Sequence, residues 1–370
     1  MRLTKLVISQ FRNIETVSVK PCANFNLFYG LNGQGKTNLL EAIYLLGNSR
    51  SFRTSRLSEL LRHGEQQARI AGEIESGNSI GRVQLTLEPG GKKVLLDGKS
   101  VQRASNLHGM VNAVVFSPDD TSMVKLGPEA RRRYLDRVVY TSTIAYLHHW
   151  HEYHRILKQR NFLLKHGDTS GLAVWTEKLA ESGAQIIYYR LQYVATMNRR
   201  LQYHYQVIAG ANETVDLHYL PLAVTHDDIS GIQSDLLKNF DATLAQDQRY
   251  GSTTAGPHRD DLLFLLNGRA LKAFGSQGQQ KTYVLALKMA EMEHLHTVFG
   301  EPPLLLLDDM SSELDAQRNS NLMDFIISSN IQVFMTTTDR LAPASHLLKE
   351  CAIFNVHDGH LTFEGNELYE

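Results

Sequence analysis

One stretch of this chain constrains its fold more than any other, the octet Gly30-Leu31-Asn32-Gly33-Gln34-Gly35-Lys36-Thr37. It follows the apolar run Phe25-Asn26-Leu27-Phe28-Tyr29 and opens onto Asn38-Leu39-Leu40-Glu41-Ala42-Ile43. The order is strand, glycine loop, helix, which is the setting of a phosphate-binding P-loop in an α/β fold. Glycines let successive backbone N–H groups converge on the β- and γ-phosphates at a helix N-terminus. Lys36 adds a point charge and Thr37 offers its hydroxyl to Mg²⁺, so the sequence predicts ATP or GTP as ligand.

A chain of 370 residues can bury one large α/β domain and a second unit. Its formal net charge of −1 gives no long-range attraction for nucleic acid, so any such surface must come from local clusters of Lys and Arg. The two cysteines, Cys22 and Cys351, make no disulfide framework and fit a reducing compartment. No stretch matches a secretion signal or the eighteen-odd apolar residues of a membrane span. The expectation is a soluble, cytoplasmic protein with no membrane partner.

Leu6, Ile8, Val17 and Val19 fall on β-type stretches ahead of the P-loop strand. Val83, Leu85 and Leu87 alternate with polar neighbours, and turns at Pro89-Gly90-Gly91 and Asp97-Gly98 predict antiparallel hairpins, closed by a buried strand at Val111 to Phe116. From Glu129 the pattern is helical, in two stretches at about 129 to 165 and 172 to 209 that flank the polar break at 166 to 171. In the second, Ile187, Leu191, Val194, Asn198, Leu201, Tyr205 and Ile208 alternate steps of four and three, the interval of a coiled-coil seam; a plain packed helix pair is the simpler reading. A strand near Val215, a helix within 228 to 249 and a hairpin turning at Asn267-Gly268 follow. Residues 1 to 125 and 250 to 370 are thus expected to build a nucleotide-binding domain from both chain ends, with 126 to 249 inserted as a mainly helical arm.

Leu304-Leu305-Leu306-Leu307 is a fully apolar strand ending in Asp308-Asp309. That is a Walker B arrangement, in which Asp308 emerges beside the P-loop and holds Mg²⁺, partly through water, together with Thr37. Asp309 stands where a side chain polarises the attacking water. It is one methylene shorter than Glu, so hydrolysis is expected well below the ordinary turnover of roughly ten per second. Upstream, Gly275-Ser276-Gln277-Gly278-Gln279-Gln280 begins a helix and offers a second anion site. One P-loop already cradles one nucleotide, so the natural use of the second site is to cap the γ-phosphate held by another copy; alone, the segment would read as a plain serine cap.

These residues resemble the ABC/SMC-like P-loop ATPase heads of chromosome maintenance, and within them the RecF family of bacterial recombination mediators. The resemblance is carried by Gly30 to Thr37, Ser276 to Gln280, Leu305 to Asp309 and Ser312-Glu313-Leu314-Asp315. It extends to Leu6 through Arg12-Asn13, Phe116-Ser117-Pro118-Asp119-Asp120, Arg131-Arg132-Arg133-Tyr134-Leu135-Asp136 and Gly256-Pro257-His258-Arg259-Asp260-Asp261. It implies an antiparallel β subdomain on the head and a short helical arm. It implies that Arg12 and Asn38 join the nucleotide site, and that Lys36 and Asp309 act in catalysis. Ser276, with Gly278 and Gln279, would act in trans across an ATP-dependent homodimer. It implies double-stranded, gapped or single-stranded DNA as ligand, RecR and RecO as partners in loading RecA, a part in the SOS response, and a weak, DNA-stimulated ATPase used as a switch.

Transporter ATPases carry a histidine after the strand that follows Walker B, where this chain has Thr336-Thr337-Thr338-Asp339, and no Q-loop glutamine stands out. An ATP-binding subunit of a membrane transporter and a chromosome-organising SMC-like ATPase are the alternatives. For DNA contact, the basic clusters are Arg50, Arg53 and Arg56, then Arg131, Arg132, Arg133 and Arg137, then Lys158 and Arg160. Arg53 has a second reading as a charge on nucleotide phosphate. His148, His149, His151 and His154 lack the acidic or Cys partner of a metal motif and read as surface or packed side chains.

Overall fold

The P-loop strand β3 (Phe25–Tyr29) lies inside a six-stranded sheet. With β8 (Ala113–Phe116), β12 (Leu304–Leu307), β13 (Val333–Thr337), β14 (Cys351–His357) and β15 (His360–Gly365) it forms the order β15-β14-β3-β13-β12-β8. Every pairing is parallel except the terminal β14–β15 hairpin. All four leucines of β12 are 0% exposed, as expected of a parallel strand covered on both faces. This computed structural model describes residues 1–48, 50–77, 79–101, 108–210, 212–309, 316–338 and 351–365.

A second, antiparallel sheet has the order β2-β1-β4-β5-β6-β7, from β1 (Arg2–Phe11), β2 (Ile14–Val19), β4 (Ala68–Ser76), β5 (Ser79–Glu88), β6 (Gly91–Leu96) and β7 (Lys99–Ser100). Its alternation puts Leu3, Leu6, Ile8, Ile70 and Leu85 inward. These share one core with Leu39, Leu40 and Ile43 of α1 (Lys36–Asn48) and with Leu306 and Phe334 of the parallel sheet, so the P-loop helix is anchored between both sheets. One expectation is corrected here. Residues 111 to 116 do not close the hairpin region; β8 pairs in parallel with β12, Ala113 opposite Leu304 and Phe116 opposite Leu307.

The chain divides into two compact units: Met1–Thr121 with His204–Gly210 and Lys281–Glu370, and Ser122–Tyr203 with Ala211–Gln280. The second carries α2 (Ser122–Lys125), α3 (Pro128–Ser142), α4 (Ile144–His166), most of α5 (Leu172–Ala209), β9 (Val215–Leu220), α6 (Ile229–Tyr250), β10 (Asp261–Leu266), β11 (Arg269–Ala270) and α7 (Leu271–Phe274). The helix α8 (Gln277–Phe299) starts at its end, and α9 (Ala316–Ser328) belongs to the first unit.

Residues 250 to 280, expected in the nucleotide-binding part, cluster in the second unit because β10 pairs with β9 along its whole length, Asp261 with Leu220 through Leu266 with Val215. The hairpin turns at Asn267 and Gly268 with φ of 50° and 72°, the left-handed pair a type I′ turn requires. The first helical stretch breaks at Thr143 into α3 and α4. The polar position of the α5 seam meets a strand: Asn198 accepts from the Leu217 N–H at 2.6 Å and donates to its carbonyl at 3.0 Å.

The second unit is organised around a buried arginine. Arg190 donates to Asp136 at 2.6 Å, to the Pro257 carbonyl at 2.8 Å and to the Tyr219 hydroxyl at 3.2 Å, while Tyr219 donates to Asp260. Burial raises Asp260 above the usual carboxylate range. Burial pushes Asp136 the same way, yet the Arg190 charge and hydrogen bonds from Tyr146, Arg190 and Trp150 hold it below that range. Nearby, burial lowers the His258 imidazole to about 4, so it packs neutral against the Tyr153 hydroxyl at 2.6 Å. Among the described residues, no helix is long and apolar enough to cross a membrane.

Candidate functional site

Gly30 ends β3, and its N–H donates to the Thr337 carbonyl at 3.3 Å, which ties the loop to β13. A Cβ on Gly30 would lie 2.3 Å from the Val356 carbonyl of β14, so the strand can turn only with glycine there. Gly33 and Gly35 have φ of 81° and 109°. Asn13, at the end of the β1–β2 turn, braces the loop: its amide donates to the Gln34 carbonyl at 3.0 Å and its oxygen accepts from Asn38 at 2.8 Å. From the other side Gln34 accepts the Asp358 N–H through its side chain at 2.7 Å and the Gly359 N–H through its carbonyl at 2.9 Å.

Held this way, the N–H groups of Gly33, Gln34, Gly35, Lys36 and Thr37 donate to nothing among the described residues. Five unspent donors at a helix N-terminus fit a phosphate chain. Lys36 is folded onto its own loop, its Nζ donating to the carbonyls of Gly30 at 2.8 Å and Leu31 at 2.9 Å. Burial lowers its pKa, with the charges of Asp309 and Asp308 pulling the other way. Leu31 is 73% exposed and Asn32 is also exposed.

β12 delivers Asp308 beside α1, where Thr37 donates its hydroxyl to both carboxylate oxygens at 2.8 and 3.0 Å. A second hydroxyl, from Thr336 at the end of β13, donates to Asp308 Oδ1 at 2.7 Å. Burial raises the Asp308 pKa against these two bonds, which lower it. A hydroxyl and a carboxylate this close fit a hydrated Mg²⁺; no group of three or more His, Cys, Asp or Glu is placed to hold a metal ion among the described residues. Asp309 follows with φ of 48°, and its N–H donates to Thr336 Oγ1 at 3.0 Å.

Beside the P-loop, a cleft of about 640 Å³ is lined by Arg12, Asn13, Asn38, Arg53 and Arg62 among others. Its organiser is Glu41, 0% exposed on α1, which sequence reading passed over as a helix residue. Glu41 accepts a two-pronged pair from Arg12 at 2.9 and 2.8 Å, a bond from Ser51, and Arg53 at 3.4 Å. Arg53 also donates to Asn38 at 2.9 Å. The signal lay in the helix pattern: a carboxylate on the buried face needs a cation, and the structure pairs Glu41 with Arg12 and Arg53, which the sequence had pointed toward nucleotide and DNA.

In the second unit Ser276 caps α8, its Oγ accepting the Gln279 N–H at 3.2 Å while Gln279 Oε1 accepts the Ser276 N–H at 2.8 Å. This is a reciprocal capping box, and Ser276 is exposed. Gln279 spends its amide on Glu213 at 2.6 Å, and Gly278 is half-buried. Ser312 to Asp315 and Asp339 lie outside the described residues.

The arginine run is corrected by the structure. Arg131 is 8% exposed and its guanidinium is committed to Asp261, at 2.9 and 2.8 Å, and to the Leu126 carbonyl at 2.6 Å, so it locks α3 to β10 instead of reaching a phosphate. Arg132 donates to the Asp260 carbonyl at 2.7 Å. Arg133 is exposed and, among the described residues, makes only a surface pair with Glu129. Arg160 is fully buried, bound to Asp247 and Thr253. On one side of α4, Arg155, Lys158 and Lys165 are exposed beside Phe162, and none has an acidic partner among the described residues, although Arg155 also lies over the Trp175 ring, 5.9 Å from its centroid.

Comparison with known proteins agrees with this geometry. Residues 2–360 match the family described as RecF/RecN/SMC N terminal domain. The DNA replication and repair protein RecF of Trichlorobacter lovleyi is 47% identical over 366 residues, covering 99% of each chain. That of Geobacter sulfurreducens is 43% identical, covering 98% of this chain and all of the relative. Among solved structures, the recombination mediator protein RecF of the RecFOR pathway, in its ATP form, superimposes with a TM-score of 0.89 at 33% identity, covering 98% of this chain and 99% of that one. An Smc head bound to the C-terminal winged-helix domain of ScpA, at 16% identity and a TM-score of 0.59, shares the fold.

Proposed function

This chain belongs to the RecF family of DNA replication and repair proteins, and from that premise we propose that it is an ATP-gated DNA-binding protein of recombinational repair. The observation that supports it most is the row of unspent N–H groups from Gly33 to Thr37 beside the Thr37–Asp308 contact. Those groups take the phosphate oxygens of ATP, and Lys36 gives up the Gly30 and Leu31 carbonyls to reach them. Thr37 and Asp308 would hold Mg²⁺, partly through water, where it would supply charge neutralisation at the phosphate oxygens. Asp309 accepts the proton of the attacking water.

Ser276 and Gly278 of a second copy close the site, so ATP draws two heads together and the closed pair grips DNA. Slow hydrolysis is then a release timer. Partners on this reading are RecR and RecO, with RecA loading and SOS induction as the outcome, in the cytoplasm. The full-length match to repair proteins leaves the transporter alternative without support.

For DNA, we place the backbone contact on Arg133 and on the α4 row of Arg155, Lys158 and Lys165, which spans about 15 Å of helix. Changing Arg155, Lys158 and Lys165 to alanine should weaken duplex binding and flatten the slope of log affinity against log salt by about 2 to 3, as each lost phosphate contact removes about 0.9. Fluorescence anisotropy over a KCl series reads this out. An unchanged slope removes α4 from the interface. Arg131→Ala is expected to lose folded second unit instead, which circular dichroism separates from a binding defect.

A further inference from the structure

The residue that ties the Asp308 carboxylate to the backbone of Asp309 is neither of them. β13 runs parallel to β12 with Leu307 opposite Met335, so the next residue, Thr336, stands beside Asp308. Its side chain is 0% exposed. One hydroxyl there does two jobs, donating to Asp308 Oδ1 at 2.7 Å and accepting the Asp309 N–H at 3.0 Å. Asp309 sits at φ of 48°, in the left-handed region that side-chain-bearing residues seldom occupy. Such a conformation persists only where neighbours hold it, and the Thr336 oxygen supplies that hold at the peptide N–H of Asp309 itself.

We infer that Thr336 is a positioning residue that fixes the Asp308 carboxylate and the Asp309 backbone together, so that both point correctly for nucleotide hydrolysis. The inference rests on the proposed ATPase reading and adds a residue to it. Asp308 receives two hydroxyl donors, from Thr37 and Thr336. Thr37 lies in the P-loop and changes its company when phosphate and metal arrive. Thr336 lies in the sheet, between β3 and β12, and gives Asp308 a partner that does not move with the loop. A hydroxyl is the one small uncharged group that donates and accepts at once. Valine fits the same volume and does neither, while serine does both.

The alternative is that Thr336 merely satisfies buried polar groups. Then its loss would lower stability and every ligand affinity together. A positioning role moves different quantities. Thr336→Val and Thr336→Ser are compared with the unaltered protein in three measurements: thermal unfolding, affinity for a fluorescent ATP analogue in EDTA and across a Mg²⁺ series, and single-turnover hydrolysis with saturating duplex DNA. For Thr336→Val we expect ATP affinity in EDTA within about twofold of the unaltered protein, the Mg²⁺ concentration for half-maximal tightening raised about tenfold, and single-turnover rate lowered about 10- to 100-fold. Thr336→Ser should restore the Mg²⁺ response and most of the rate.

The inference is overturned if Thr336→Val keeps both the Mg²⁺ response and the rate. It is equally overturned if affinity in EDTA falls in step with them, or if Thr336→Ser fails to restore them. An unaltered protein that binds no ATP would sink the ATPase reading, whereas one that binds ATP with no response to Mg²⁺ would remove the metal assignment of Asp308 and the role of Thr336 with it.

Discussion

Gly35→Ala is expected to lower ATP affinity about 100-fold, while Gly33→Ala lowers it only about tenfold. Both glycines have positive φ, 109° and 81°, so each substitution carries backbone strain of about 1 to 3 kcal/mol. They differ in surroundings. A Cβ on Gly33 meets nothing within 4 Å, whereas on Gly35 it would lie 2.6 Å from Asn13 Oδ1. Asn13 cannot withdraw cheaply, because it holds the Gln34 carbonyl and Asn38. Displacing it adds the loss of two hydrogen bonds, about 1 kcal/mol each, and loosens the loop whose N–H groups would receive phosphate. Isothermal titration with ATP measures both variants; equal losses would mean that strain alone matters and that the Asn13 brace is idle.

Arg190→Met is expected to destabilise the second unit by about 3 to 5 kcal/mol. The substitution keeps the side-chain volume roughly but leaves the half-buried carboxylate of Asp136 and the buried one of Asp260 without their shared cation. It also removes the donor to the Pro257 carbonyl, which fixes the segment leading into β10. Urea unfolding followed by circular dichroism should show the second unit melting first, with ATP affinity of the P-loop kept at low denaturant. A loss under about 1 kcal/mol would show that the network is already paid for by packing around it.

The sequence announces this fold where the chemistry is local. β3, the loop and α1 are contiguous, and four leucines before two aspartates can only be a buried strand with carboxylates at its end. It is silent where meaning depends on a distant partner. Arg131 to Arg133 look like a DNA patch, yet the partner of Arg131 is 130 residues away in β10, and nothing in the run itself distinguishes a paired arginine from a free one. The same holds for Arg160 and Asp247, 87 residues apart. Thr336 was visible only as the place where a transporter histidine is missing. Its contact with Asp308 follows from the register of two parallel strands, which periodicity does not give. Turns were legible, Gly167 between the two long helices and Asn267-Gly268 in the later hairpin, since left-handed backbone favours those residues; the extent of the arm was not, because β9 captures β10 from what looked like the returning domain.

The central claim is that one copy's segment Ser276 to Gln280 closes the other copy's nucleotide site. The most direct test is the light-scattering mass of Asp309→Asn with Mg²⁺ and ATP, beside the same variant carrying Ser276→Arg. The first substitution should retain ATP unhydrolysed, and the second places a long charged side chain at the exposed cap of α8. The account predicts a dimer that requires ATP and is lost with Ser276→Arg, while both variants bind ATP equally. A monomer with ATP demonstrably bound, or a dimer that Ser276→Arg leaves intact, would contradict it.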